Sequence, residues 1–181
     1  IIIHIMDFNL FSQNSGYLHL ILGPMFSGKT TELIRIYNKY TACGIKCLMI
    51  NHSYDTRYSN EGHVTSHSQG QIKSLNINRL QDLIESPFEA YEHDVILINE
   101  GQFFPDLYDS VLTLVETYKK EVYICGLDGD FKRCKFGGLL DLIPISDNVI
   151  KLHAKCEKCN KNAIFSKRLT NEEQQVLIGS S

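Results

Sequence analysis

Short apolar runs alternate with amphipathic stretches along most of the chain. Tyr17–Leu22 and residues 46–50, 94–99, 122–126 and 149–153 are mostly apolar and five or six residues long, the length of strands buried on both faces. Residues 29–41 predict a helix whose buried side carries Leu33, Ile34, Ile36, Tyr37 and Tyr40, with Gly44 beyond its end. Residues 79–85 predict a shorter helix, stopped near Pro87. Pro105 opens another helix to about Lys119, with Asp106 in its first turn and Leu107, Val111, Leu114 and Val115 on one face. Strands that alternate with helices predict an α/β fold, a parallel sheet flanked by helices. Residues 52–70 are rich in Ser, His, Asn and Gly, and so long a polar connection is expected to serve function. After Cys156 the pattern changes to two short strand-like runs, 163–166 and 175–178. This divides the chain into an N-terminal extension or tag (1–16), a main domain (17–152) and a small C-terminal lobe (153–181).

Chemistry enters at the end of the first strand. Gly23-Pro24-Met25-Phe26-Ser27-Gly28-Lys29-Thr30 fits G-x-x-x-x-G-K-[ST] and lies between a predicted strand and a predicted helix, the context this phosphate loop requires. Glycines let backbone N–H groups close on phosphate oxygens, and the helix N-terminus adds a partial positive charge. Lys29 is placed to reach the β- and γ-phosphates of ATP, and the Thr30 hydroxyl to ligate Mg²⁺. The fold expected is therefore a P-loop, RecA-like sheet.

The strand at 94–99 delivers Asn99-Glu100-Gly101-Gln102-Phe103 to the carboxyl edge of that sheet, where α/β proteins bind ligands. A P-loop enzyme commonly holds Mg²⁺ there with an Asp; Asn99 offers an uncharged amide, a poorer partner for a hard dication. Glu100 is the neighbouring carboxylate and the candidate general base for a substrate hydroxyl.

Charge narrows the partners. Lys and Arg total 18 against 21 Asp and Glu, a formal net charge of −3, and there is no basic stripe. That argues for a small-molecule substrate and against a nucleic-acid track. Residues 1–11 are apolar but interrupted by His4, Asp7 and Asn9, too short to span a bilayer and without the flanks of a signal peptide. A reducing, cytoplasmic setting is expected. Of the six cysteines, Cys43, Cys47, Cys125 and Cys134 are expected to pack as small apolar residues.

Taken together, Gly23 to Leu33, Asp55-Thr56-Arg57-Tyr58, Glu100-Gly101-Gln102-Phe103-Phe104-Pro105-Asp106, Leu127-Asp128-Gly129-Asp130-Phe131 and Lys167-Arg168-Leu169 resemble the zinc-ribbon (type II) thymidine kinases. The resemblance runs from about Tyr17 to Gly179, with the motifs in the family's order. It implies transfer of the γ-phosphoryl of ATP, with Mg²⁺, to the 5′-hydroxyl of thymidine in deoxynucleoside salvage. It implies Glu100 as base and Lys29 and Arg57 as catalytic cations. The nucleotide site it implies is Gly23 to Thr30, Asp55, Thr56, Arg57, Asn99, Glu100, Gly101 and Gln102. Phe131 resembles the platform under the base, and Met25, Phe103, Leu127 and Phe136 the rest of an apolar wall. Gln175, Val176, Leu177, Ile178 and Gly179 match the returning strand of a lasso whose backbone groups read the thymine edge. A homotetramer and feedback by the triphosphate of thymidine are further implications; no membrane or nucleic-acid partner is.

Cys156-Glu157-Lys158-Cys159 has the spacing of half a structural zinc site, and the resemblance places the zinc ribbon here. The family's second C-x-x-C and a sugar-facing aromatic residue have no counterpart in residues 160–181, so filling the Zn²⁺ site calls for ligands beyond Ser181. Two alternatives share these residues. One is another P-loop ATPase, stimulated by DNA. The other is a catalytically weakened homologue, suggested by Asn99.

Overall fold

A computed structural model describes residues 15–54, 63–66, 70–85, 91–171 and 173–176. Six parallel strands form the main sheet: β1 (Tyr17–Leu22), β2 (Cys47–His52), β5 (Leu75–Ile77), β6 (Val95–Ile98), β7 (Glu121–Gly126) and β8 (Asn148–Lys151), in the order β5-β2-β6-β7-β1-β8. Their side chains alternate between two cores, as the pleat demands. Leu18, Leu20, Leu22, Ile96, Ile98, Val122 and Ile124 face one core, with Leu107, Val111 and Leu114 of helix α3 (Leu107–Leu112) and its extension. Ile21, Met49, Val95, Leu97 and Tyr123 face the other, against Leu33, Ile34 and Ile36 of helix α1 (Lys29–Ala42). The near-continuous apolar runs of the sequence are therefore strands covered on both faces.

The polar connection holds structure that its composition did not predict. An antiparallel hairpin, β3 (His63–Ser66) with β4 (Gly70–Lys73), buries Val64 and Ile72 in the α1-side core. The helix expected from Pro105 to Lys119 is shorter. Asp106 does not cap its own helix; its carboxylate accepts the N–H groups of Leu80 and Gln81 (3.2 and 2.8 Å) at the start of helix α2 (Gln81–Glu85). At the other end the Thr113 hydroxyl donates back to the Asp109 carbonyl (2.9 Å), and residues Thr113–Thr117 widen into a π turn. In the C-terminal lobe the paired strands are β9 (Ala154–Lys155) and β10 (Asn162–Ala163). Residues 164–166 extend no strand, and Gln175 and Val176 lie in none. Residues 177 and 178 of the second expected run lie outside the described residues.

A half-buried histidine, His19, and a buried one, His52, make the fold acid-sensitive. His19, on β1, lies against the rings of Tyr17 and Tyr123, and its buried Nε2 has no hydrogen-bond partner among the described residues. His52, at the end of β2, is 3% exposed and packs edge-on against Phe104, its Nδ1 accepting the Tyr54 N–H at 3.1 Å. Burial pushes both below the ordinary value of 6.5, against the opposing pull of Glu32 on His19 and of the backbone hydrogen bond with Asn78 on His52. The unfolded chain therefore binds more protons in the window between folded and unfolded values. Stability is complete above about pH 6.5 and is lost as pH falls through the folded values. Thermal melts from pH 8 to pH 5 should show this decline. His19→Phe should flatten it by at most ~1.4 kcal/mol per pH unit, one proton's share. Parallel curves for the two proteins would remove His19 from the explanation.

Candidate active site

The phosphate loop joins β1 to α1. Gly28 closes it with φ 86°, a conformation that a side chain at this position would strain, and α1 begins at the next residue. Phe26 also has positive φ (60°) and is 77% exposed, so the loop crest is bent outward against its own preference. Lys29 is buried, and its Nζ donates to the Pro24 carbonyl at 2.7 Å. The Ser27 hydroxyl donates to the same carbonyl at 2.9 Å. The lysine is thus folded back across the loop, with its charge held where incoming phosphate oxygens would meet it.

Asn99 is where the strand ends converge. Its Oδ1 accepts from the Thr30 hydroxyl (3.3 Å) at the start of α1 and from the Cys125 thiol (3.0 Å) on β7. Its Nδ2 donates to Asn51 Oδ1 (2.9 Å) on β2. Because β7 lies between β1 and β6 in the sheet, this cluster ties the phosphate loop to the second motif across an intervening strand. Cys125 is expected from the sequence only as packing, and Asn51 carries no sign there beyond a polar residue closing an apolar strand. Of the four cysteines expected to pack, Cys125 is buried and Cys47 half-buried, whereas Cys43 and Cys134 are exposed; Cys125 contributes a hydrogen bond as well as bulk. The Thr30 hydroxyl is a hard oxygen donor beside the loop, suited to Mg²⁺, and Asn99 Oδ1 holds it from behind.

Glu100 follows in the left-handed region (φ 54°, ψ 46°), rare for a residue with a side chain, and Gly101–Phe103 then form a 3-10 turn. Such strain is tolerated where a group must be held at a particular angle. The Glu100 carboxylate accepts from Gln102 Nε2 at 2.5 Å, and Gln102 Oε1 accepts the Leu127 N–H at 3.0 Å.

The apolar wall is partly assembled. Phe103 meets Phe136 edge-on (ring centroids 5.6 Å apart) and lies near Tyr54 and His52 (6.3 and 5.7 Å). Phe136 is buried, so it supports Phe103 from behind. Met25 is 37% exposed, and its N–H donates to the Ser166 hydroxyl at 2.9 Å, which brings the C-terminal lobe onto the loop. Phe131 carries the Arg168 guanidinium 3.8 Å from its ring centroid. Arg168 also donates to the carbonyls of Gln174 and Gln175. Asp130 accepts the N–H groups of Lys132 and Cys134 (2.8 and 2.9 Å) and the Gln175 side chain (3.0 Å). Neither Arg168 nor Asp130 had been assigned a site role, although both stand in the quoted motifs. Asp55, Thr56, Arg57, Leu177, Ile178 and Gly179 lie outside the described residues.

Cys156 and Cys159 share a tight knuckle closed by the Asn160 N–H on the Cys156 carbonyl (2.8 Å) and the Cys156 N–H on the Lys161 carbonyl (2.9 Å). Hydrogen bonds from the backbone at Lys158 and Cys159 lower the pKa of the Cys156 thiol, which favours the thiolate a metal needs. The knuckle fits half of a tetrahedral site; among the described residues no group of three or more His, Cys, Asp or Glu side chains surrounds one point. No helix among the described residues is long and apolar enough to cross a membrane.

Comparison with known proteins agrees with this geometry. The sequence family described as Thymidine kinase matches residues 16–181. The thymidine kinase of Sheeppox virus (strain KS-1) is 42% identical over 164 residues, 91% of this chain and 89% of the relative. Those of Vaccinia virus (strain Ankara) and Variola virus (isolate Human/India/Ind3/1967) are each 42% identical, over 93% and 92% of this chain and 92% and 91% of the relatives.

Proposed function

This chain belongs to the thymidine kinase family, and from that premise we propose how its residues transfer the γ-phosphoryl group of ATP to the 5′-hydroxyl of thymidine. The observation that carries the reading is the Thr30–Asn99 contact at 3.3 Å, which brings the phosphate loop and the strand bearing Glu100 to one point. Loop N–H groups and Lys29 take the β- and γ-phosphates. Glu100 accepts the 5′-hydroxyl proton as that oxygen bonds to the γ-phosphorus and the bond to the bridging oxygen of ADP breaks. Mg²⁺, brought with the triphosphate, supplies charge neutralisation beside Thr30. Arg57 is assigned to the phosphates. Met25, Phe103, Leu127 and Phe131 are assigned to the base, the last as its stacking face. A Zn²⁺ ribbon begun by Cys156 and Cys159, a homotetramer, feedback by thymidine triphosphate and a cytoplasmic location complete the proposal.

Radiolabelled phosphate transfer to thymidine, run against DNA-stimulated ATP hydrolysis, tests this reading. Label should appear in thymidine monophosphate, and DNA should leave ATP turnover unchanged. The same assay examines Asn99. Its amide oxygen already takes two protein donors, and it is 2% exposed, so it reaches the metal site chiefly through Thr30. A carboxylate in its place adds negative charge beside Thr30, provided that Asn51 turns its amide to donate. In Asn99→Asp the Mg²⁺ concentration for half-maximal rate should fall roughly three- to tenfold, equivalent to ~1 kcal/mol of added attraction. Superimposable Mg²⁺ titrations would remove position 99 from metal binding.

A further inference from the structure

Gln102 is enclosed at the centre of the site, 4% exposed, with both ends of its side chain engaged by protein. The orientation of its amide is not ambiguous. The Leu127 N–H can only donate, so Oε1 must face it, and Nε2 must then face the Glu100 carboxylate. The surroundings are shaped around this residue. A Cβ on Gly126 would lie 2.4 Å from Gln102 Oε1, and one on Gly137, whose φ is +61°, would lie 2.1 Å from the Gln102 carbonyl oxygen. Only glycine on both sides leaves the slot open. Leu127 follows β7, so the chain Glu100–Gln102–Leu127 runs from the end of β6 to the end of β7.

We propose that Gln102 is a positioning residue: anchored on the Leu127 backbone, its amide fixes the direction in which the Glu100 carboxylate accepts the 5′-hydroxyl proton. This rests on Glu100 as the base. It differs from a direct nucleotide contact by Gln102, because the side chain is turned inward onto protein. Without this hydrogen bond the carboxylate would be held less firmly in direction, and misplacement by about 1 Å can cost ~10²-fold in rate. Substrate binding depends on other groups and should change little.

The test is a double-mutant cycle on the full chain with Gln102→Met, which matches the length of glutamine without hydrogen-bonding ends, and Glu100→Gln. Initial rates at saturating and limiting ATP and thymidine give kcat and KM. Gln102→Met should lower kcat roughly 10- to 100-fold and shift both KM values less than about threefold. In the Glu100→Gln background the same change should alter kcat by less than about twofold, because the carboxylate it serves is gone. Equal losses in both backgrounds would make Gln102 merely structural and overturn the proposal. A raised KM for ATP at unchanged kcat would return it to the nucleotide. Near-normal kcat in Glu100→Gln alone would refute Glu100 as base, a separate failure. Gln102→Asn, too short to span both partners, carries the same cycle if the methionine variant does not fold.

Discussion

Lys29→Ala should lose phosphoryl transfer by on the order of 10³-fold or more while keeping its fold. A charged group aimed at phosphate in a partly dehydrated site is worth far more in the transition state than in water, and losses of 10²- to 10³-fold follow removal of a single neutral donor. The fold has little stake in this side chain. Within the loop its Nζ donates to the Pro24 carbonyl at 2.7 Å, an acceptor that the Ser27 hydroxyl also satisfies. Alanine is moreover a strong helix former at the first position of α1. The melting temperature should therefore stay within a few degrees of the parent while labelled phosphate transfer disappears. Near-normal turnover would sink the assignment of the loop, and an unfolded variant would show that Lys29 serves the core.

The contrast between Lys29 and Gln102 shows what the sequence could tell. The loop, its flanking strand and its helix are local features, written in consecutive residues, and the observed β1 and α1 (Tyr17–Leu22 and Lys29–Ala42) lie where periodicity and the motif place them. The parallel sheet was legible for the same reason: strands covered on both faces are apolar throughout. The convergence at Asn99 was not, because it joins Thr30, Asn51 and Cys125 from three other elements, and no spacing encodes a contact between strand ends. Hairpin β3–β4 escaped because its strands hold just two apolar residues, Val64 and Ile72, too few to stand out among serines and histidines. The third helix starts two residues later than expected, at Leu107, and its second half, Thr113–Thr117, is a π turn, while Asp106, which reads as an acidic first-turn residue, is recruited by α2. Gln102 and Arg168 stood in quoted motifs, yet a motif names a residue without saying which neighbour it grips.

Glu100→Gln should reduce kcat by on the order of 10²- to 10⁴-fold, the usual worth of a positioned base, and leave the KM values for ATP and thymidine nearly unchanged. The substitution keeps length and planarity. The new side-chain oxygen can still accept from Gln102 Nε2, so the 2.5 Å contact that holds the parent carboxylate need not be lost. What the amide cannot do is take the 5′-hydroxyl proton as the new P–O bond forms. The nucleoside must then attack as a neutral hydroxyl or deliver its proton to water or the phosphate itself, both slower. Because the backbone at Glu100 is strained in either protein (φ 54°), stability should not separate the two variants, and melting curves serve as the control. Single-turnover rates of labelled phosphate transfer make the measurement, since they isolate the chemical step from product release. A rise in the thymidine KM with unchanged single-turnover rate would place Glu100 among the binding groups and leave the proton acceptor to be sought elsewhere in the site.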